Sequence, residues 1–245
     1  MAWFDNNEMW EIFYDCMFDH ESFENANQEC QQILELVGDP VKTALDLACG
    51  PGRHVMGFSR LGLKVTGIDL SGFLLNQAAN LIEQEQLKAA LIHSDMLTYE
   101  PNKKFDLITN LFTSFGYYSN PTDNQQVLNN AYQWLNPKGS LIIDTFGKEQ
   151  AAHAISPVHC TEYDNGDLRF ERPLLTNNMS VYSNEWILVR DKQAHHWEYE
   201  HFVYSANELT EMLKKAGFKQ VEIYGSLEKD DYDLSAERLI AVARK

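Results

Sequence analysis

The chain has 245 residues, 44% of them hydrophobic, and carries 36 Asp and Glu against 20 Lys and Arg for a formal charge of −16. That length and apolar content suit one α/β unit with an insertion. A chain this acidic, in which Lys103-Lys104 and Lys214-Lys215 are isolated pairs and no basic patch stands out, is repelled by phosphate backbones, which argues against a nucleic-acid partner.

In chain order, residues 2–36 mix Trp3, Phe4, Trp10, Phe13, Tyr14, Phe18 and Phe23 with acids. This predicts a pair of amphipathic helices that cover the sheet edge, or cap a cleft with Tyr14 or His20 turned toward its contents. Thr43 to Ala48 reads as a strand at the centre of a parallel sheet. Gly50 and Gly52 turn it into a helix from about Arg53 to Leu61 whose N-terminal amides face a ligand. Lys64 to Ile68 is the second strand, closed by Asp69, and Ser71 caps a helix running to about Glu85. Ala89 to Ile92 and Phe105 to Asn110 are the third and fourth strands. A helix from about Thr122 to Leu135, a turn at Asn136-Pro137-Lys138-Gly139 and a fifth strand from Ser140 to Phe146 follow. Between residues 147 and 204, Leu168–Leu175, Val181–Arg190 and His195–Tyr204 are β-rich and separated by Asn177-Asn178 and Asp191-Lys192, which predicts a small antiparallel sheet. Ser205 and Glu208 form a capping box for a helix that stops at Gly217, and Val221–Tyr224 and Arg238–Ala243 supply the last two strands. The organisation expected is one domain over 1–245, with a helical cap at 1–36, a cofactor-binding core at 40–146, a β-rich lid at 147–204 and completion of the sheet by 205–245.

No stretch approaches the ~20 apolar residues that cross a bilayer, and the N-terminus lacks the charged and apolar regions of a signal peptide, so a cytoplasmic protein without a membrane partner is expected. Cys16, Cys30, Cys49 and Cys160 form no Cys-x-x-Cys pair. They read as reduced thiols and argue against a metal site. His195 and His196 adjoin on a strand and face opposite sides, which argues against a shared metal as well.

The glycine turn separates two cofactor classes. A dinucleotide fingerprint needs a third glycine three residues after Gly52, where Val55 stands, and Asp46 would repel a diphosphate. Asp69, about 20 residues beyond the turn at the end of the next strand, can accept hydrogen bonds from both hydroxyls of a ribose. The order Asp46, Cys49, Gly50, Gly52 resembles the first motif of class I S-adenosylmethionine-dependent methyltransferases. Trp3-Phe4 followed by Tyr14-Asp15 is similar to the amino-terminal region of their small-molecule subgroup.

That resemblance implies a Rossmann-like, seven-stranded, mostly parallel sheet with an antiparallel edge hairpin, an N-terminal helical cap and a small antiparallel β insertion over the active site. It implies S-adenosyl-L-methionine as cofactor and S-adenosyl-L-homocysteine as product. Asp95 would meet the adenine amino group and Met96 its ring. The positions expected to hold the cofactor are Tyr14, Asp46, Ala48, Cys49, Gly50, Gly52, Arg53, Asp69, Leu70, Asp95, Met96, Asn110 and Leu111. Arg53 either pairs with the methionine carboxylate or lies on the helix surface, and the role of His54 stays open.

Methyl transfer demands alignment of an acceptor lone pair with the methyl group and exclusion of water, while a general base is optional. Candidates to act on the acceptor are Tyr14, His20, Tyr117, Tyr118 and His201, with Ser114, Arg172, Glu198 and Tyr199 as further polar groups. Against these stand packing roles for the tyrosines and a structural role for His201. The fourth strand ends in Asn110-Leu111-Phe112-Thr113 where methyltransferases of nucleobase amines carry Asn/Asp-Pro-Pro-Tyr. With the acidic charge, this points to a nitrogen or oxygen of a small metabolite as acceptor. A protein or transfer-RNA acceptor, and a noncatalytic S-adenosylmethionine-binding protein, are the alternatives.

Overall fold

Seven strands form one sheet in the order β10-β11-β5-β4-β1-β2-β3. These are β1 (Thr43–Leu47), β2 (Lys64–Asp69), β3 (Ala89–His93), β4 (Phe105–Asn110), β5 (Leu135–Thr145), β10 (Gln220–Tyr224) and β11 (Leu239–Arg244). The computed structural model describes residues 3–155 and 158–245, so the first residues of the expected cap, Met1 and Ala2, and Ser156 and Pro157 of the expected insertion lie outside the described residues. β11 runs against both its neighbours, and the remaining pairings among the other strands are parallel. Such a sheet must be covered on both faces, which explains why β1 reads as apolar except at Asp46.

One face carries α2 (His20–Val37), α3 (Arg53–Arg60) and α4 (Gly72–Gln84), packed through Cys30, Ile33, Val55, Phe58, Leu75 and Ile82 onto Ala44, Leu107, Ile142 and Val242. The other carries α5 (Pro121–Trp134) and α7 (Ala206–Ala216), whose Val127, Leu128, Leu209 and Leu213 meet Leu45, Ile108, Leu141 and Ile143. The N-terminal helices do not cover the sheet edge. α2 lies on the sheet face, because its apolar stripe is complementary to the row of small and branched residues there. α1 (Asn7–Met17) instead bridges α4 and the second sheet, burying Met9, Trp10 and Phe13 against Leu74, Trp186 and Leu188.

The insertion holds α6 (Lys148–Ala154) and a four-stranded antiparallel sheet of β6 (His159–Glu162), β7 (Leu168–Thr176), β8 (Val181–Arg190) and β9 (Gln193–Phe202). Asn177, Asn178, Asp191 and Lys192 all take left-handed φ in its hairpin turns. The capping box of Ser205 and Glu208 opens α7, and Gly217 ends it with φ 117. One expected boundary differs: residues 136–139 are no separate turn. β5 begins at Leu135 and pairs with Phe105, and the register shifts before Leu107 meets Ser140. Lys138, at φ 67, absorbs the extra residues as an irregularity within the strand.

Candidate active site

The carboxyl ends of β1, β2, β3 and β4 converge on a cavity of about 350 Å³, at the position where open α/β sheets bind ligands. The turn after β1 takes left-handed φ at Ala48, Gly50 and Gly52 (55°, 56° and 82°). A Cβ on Gly52 would stand 2.8 Å from the Ala78 Cβ, so glycine there lets α3 and α4 pack side by side. Gly50 N–H donates to Asp69 Oδ2 at 2.8 Å, and Ser71 N–H donates to Asp69 Oδ1 at 2.8 Å. The Asp69 carboxylate thereby ties the glycine turn to the end of β2, and each oxygen keeps a lone pair for a ligand.

Around this acid the neighbouring strands place further polar groups. Asp95 Oδ1 accepts from Leu97 N–H at 2.8 Å and from the Tyr118 hydroxyl, with buried Met96 beside it. Thr109 Oγ1 donates to Asp46 Oδ1 at 2.7 Å. Asn110 Nδ2 donates to the Leu47 carbonyl at 3.1 Å, while its buried Oδ1 has no partner. Asn110 therefore braces β4 against β1 beneath the cavity.

Arg53 begins α3 and turns back over the Phe112 ring, its guanidinium carbon 3.3 Å from the ring centroid; Arg238 stands 4.0 Å from the same centroid. Two guanidinium groups are thus drawn to the one aromatic ring. Asp144 fixes Arg238, accepting from its Nε at 2.6 Å. Arg53 makes no ion pair among the described residues. Behind the turn His54 Nε2 meets Glu29 Oε2 at 2.8 Å. Burial lowers the affinity of His54 for a proton. Burial opposes ionisation of Glu29 but is outweighed by the His54 hydrogen bond and the neighbouring positive charges, which hold its carboxyl below the usual range.

The two buried acids have a measurable consequence. Burial pushes Asp69 up to about 6, with its backbone hydrogen bonds opposing, and Asp46 up to about 7, against Thr109 and Arg53. In the unfolded chain each holds its proton only below about 4. Between about pH 4 and 7 the native state thus binds more protons than the unfolded one, and the stability these groups contribute falls as pH rises. In thermal melts of the ligand-free protein, Asp46→Asn should flatten the decline between pH 5 and pH 8; an unchanged slope would contradict the burial of an ionising Asp46.

Of the residues expected to hold a cofactor, Asp46, Ala48, Cys49, Gly50, Arg53, Asp69, Leu70, Asp95, Met96 and Leu111 line this one cavity. Gly52 and Asn110 shape it without lining it. Tyr14 is placed elsewhere: it packs on Phe18 and Phe73 with ring centroids 5.3 and 5.6 Å away, because the face of α1 it occupies rests on α4. Ser114, Tyr117 and Tyr118 line the cavity, whereas His20 stands outside it beside Glu24, its side chain 87% exposed. Tyr199 and His201 line an adjoining chamber. Arg172 and Glu198 are on the far face of the small sheet, where Arg172 Nη1 and His196 Nε2 engage Glu185 at 2.8 and 2.7 Å. Among the described residues Glu185, His196 and Glu198 are the group close enough to share a cation, and they lie outside the cavity lining. Further lining residues not singled out from the sequence are Cys16 and Met17 at the end of α1, Leu74, Ser94, Phe112, and the lid residues Arg169 and Trp186. The aromatic-rich cap was a signal for the first group; nothing in the sequence marks Arg169, which reaches the Cys16 carbonyl at 3.1 Å across the fold.

The turn, the paired strand-end acids and their order match a known family. The Methyltransferase domain family matches residues 44–139. A putative methyltransferase of Geobacillus sp. (strain WCH70) is 23% identical over 244 residues, covering 97% of this chain and 99% of that protein. Among solved structures, an S-adenosylmethionine-dependent methyltransferase from Clostridium acetobutylicum ATCC 824 superposes with a TM-score of 0.80 at 19% identity, covering 97% of this chain and 98% of that one. A sugar N-methyltransferase from Streptoalloteichus sp ATCC 53650 superposes with a TM-score of 0.73 at 16% identity, covering 98% and 94%. At these identities the superpositions show the shared fold. Among the described residues no helix is long and apolar enough to cross a membrane.

Proposed function

We propose that this chain, a class I S-adenosylmethionine-dependent methyltransferase, transfers a methyl group to a nitrogen or oxygen of a small metabolite in the cytoplasm. The observation that carries the reading is that the glycine turn, Asp69 and Asp95 line the same cavity as Trp186 and Arg169 of the insertion. Bound there, S-adenosylmethionine would supply an electrophilic methyl group on a sulfonium sulfur. The residues present fit it: Asp69 offers its remaining lone pairs to a ribose diol, Asp95 and Met96 offer an acceptor and a soft apolar surface to a purine, and Arg53, without an ion pair, suits a carboxylate. Transfer to the acceptor's lone pair would leave the carbon–sulfur electrons on sulfur, and the methylated acceptor would give up its proton to water on release.

The protein's contribution is to align the two partners and exclude water. The insertion supports a small acceptor over a protein or transfer RNA, because α1 and β8 pack together through Met9, Trp10, Phe13, Trp186 and Leu188, and Trp10 and Trp186 narrow the space beside the cavity they line. The sugar N-methyltransferase noted above agrees with an amine acceptor. Incubation with methyl-labelled S-adenosylmethionine and a panel of small amines and hydroxyl compounds, read by mass spectrometry, should give singly methylated products. Label transferred only to RNA or to added protein, or to nothing, would overturn the reading.

A further inference from the structure

We propose that the chamber adjoining the cofactor cavity is the acceptor subsite, that it takes an uncharged N–H or O–H group carried on a body of about one six-membered ring, and that His201 accepts the hydrogen bond from that group. The proposal rests on the methyltransferase reading and adds to it the chemical class of the acceptor.

Three observations carry it. First, the chamber has a volume of about 150 Å³ and shares Met17, Phe112, Tyr117 and Trp186 with the cofactor cavity. A void of about 150 Å³ is enough for a benzene-sized ring, and these shared walls place its contents beside whatever fills the larger cavity. Second, the remaining wall is Trp3, Met9, Thr113, Tyr199 and His201, with no charged side chain among the described residues. An ammonium or carboxylate entering it would lose its water and find no counter-charge. The aromatic faces suit a ring: Tyr117 stands 4.6 Å and Tyr199 5.1 Å from Trp3, centroid to centroid.

Third, His201 is 5% exposed and neither of its ring nitrogens has a partner. Its neighbours are the rings of Tyr117, Tyr182 and Tyr199, at 6.1, 5.4 and 6.1 Å. Buried polar atoms in folded proteins are almost always satisfied, so two orphaned nitrogens on the wall of an apolar chamber mark a contact left for a ligand. Burial pushes His201 down to about 4, which leaves the ring neutral at neutral pH with one lone pair to accept a donor. Held by that lone pair, an N–H or O–H is fixed on one side and the acceptor's own lone pair is left free to face the methyl group. Trp3 Nε1 donates to the Glu200 carbonyl at 2.9 Å, fastening the N-terminal turn, whose Trp3 lines the chamber, to β9.

The test uses the full chain saturated with S-adenosylhomocysteine and probes of one ring each, by calorimetry at pH 7.5. Aniline and phenol, neutral donors, should bind about tenfold more tightly than N,N-dimethylaniline and anisole, which keep the ring and lack the donor, a ratio in keeping with one hydrogen bond. The preference should vanish in His201→Leu and be partly kept in His201→Asn, which restores an acceptor oxygen. Affinity for S-adenosylhomocysteine, measured in parallel, should be the same in all three proteins; its loss in the wild type would sink the underlying methyltransferase reading, whereas its retention with no donor preference, or with no ring probe bound, overturns the chamber proposal alone. Tighter binding of cyclohexylammonium than of aniline would also overturn it. The comparison of probes in the wild type stands even where a variant fails to fold.

Discussion

Asp69→Ala should lose S-adenosylmethionine and S-adenosylhomocysteine affinity by about 10²- to 10⁴-fold, the equivalent of two charge-assisted hydrogen bonds at roughly 1.5–3 kcal/mol each. The carboxylate has two tasks that alanine cannot share. It lines the cavity, where its remaining lone pairs can accept from a ribose, and its oxygens hold the Gly50 and Ser71 amides at 2.8 Å. Without it the glycine turn loses one of its ties to β2, and the part-buried Gly50 and buried Ser71 amides lose their acceptor. Asp69→Asn separates the tasks, since the amide keeps an oxygen for one backbone donor but offers only half the acceptor capacity. Its affinity should fall between the two. Because burial pushes Asp69 up to about 6, cofactor affinity of the wild type should also weaken as pH drops through that value, and Asp69→Asn should lack this dependence. Equal affinity of wild type and Asp69→Ala in calorimetry would show that the acid is structural and the ribose is held elsewhere.

Gly116→Ala should be the most damaging single-methyl change at the junction between core and lid. Gly116 has φ 105, a region side chains rarely enter, and a Cβ there would overlap the Phe202 carbonyl group. The same residue accepts Phe202 N–H at 2.8 Å, the bond that joins the loop after β4 to the end of β9. Backbone strain and overpacking together should cost more than about 3 kcal/mol, and the urea midpoint should fall accordingly. Gly62→Ala supplies the control, because Gly62 also has positive φ (86°) but nothing within 4 Å of an added Cβ. It should lose only the ~1 kcal/mol of the left-handed conformation. If both variants unfold at the same urea concentration, the close approach of lid and core at Gly116 is not as tight as described.

The core was legible because its signals are local. β1, β2 and β3 are short runs with a glycine or acid at or just beyond their carboxyl ends, and parallel topology brings those ends together whatever the loops do. Asp46, Gly50, Asp69 and Asp95 could therefore be placed in one site from spacing and resemblance. The helix caps at Ser71 and Ser205 were readable for the same reason, since a cap involves residues only a few positions apart. What failed depended on helix rotation or on distant partners. Tyr14 and His20 were chosen for their chemistry, but α1 turns its Trp10 and Met17 side toward the cavity and Tyr14 toward Phe73. His20 opens α2 at a solvated helix end. The meeting of two cations at Phe112 needs Arg53, Arg238 and Asp144 from separate parts of the chain, and no pattern in the chain relates them. His201 carried no local mark beyond its β-rich run; only the pairing of β9 with β8, Tyr182 opposite His201, shows it facing inward.

Phe112 is notable in this respect, because it and Thr113 both hold left-handed φ (52° and 64°). Non-glycine residues keep such conformations where surrounding contacts impose them. Here the two guanidinium groups and the bonds from Phe112 and Thr113 amides to Asp144 Oδ2 and its carbonyl, at 3.4 and 3.0 Å, do so. The aromatic wall shared by the two adjoining cavities is thus held by contacts within the protein, the preorganisation that alignment of two reactants requires.

The most direct measurement is a calorimetric titration of the purified protein with S-adenosylmethionine, S-adenosylhomocysteine and a nicotinamide dinucleotide. The structure predicts micromolar binding of both adenosyl ligands, about −8 kcal/mol, and none of the dinucleotide, whose diphosphate would meet Asp46 at the turn and find Val55 where a third glycine is needed. Binding of the dinucleotide, or of none of the three, would contradict the account.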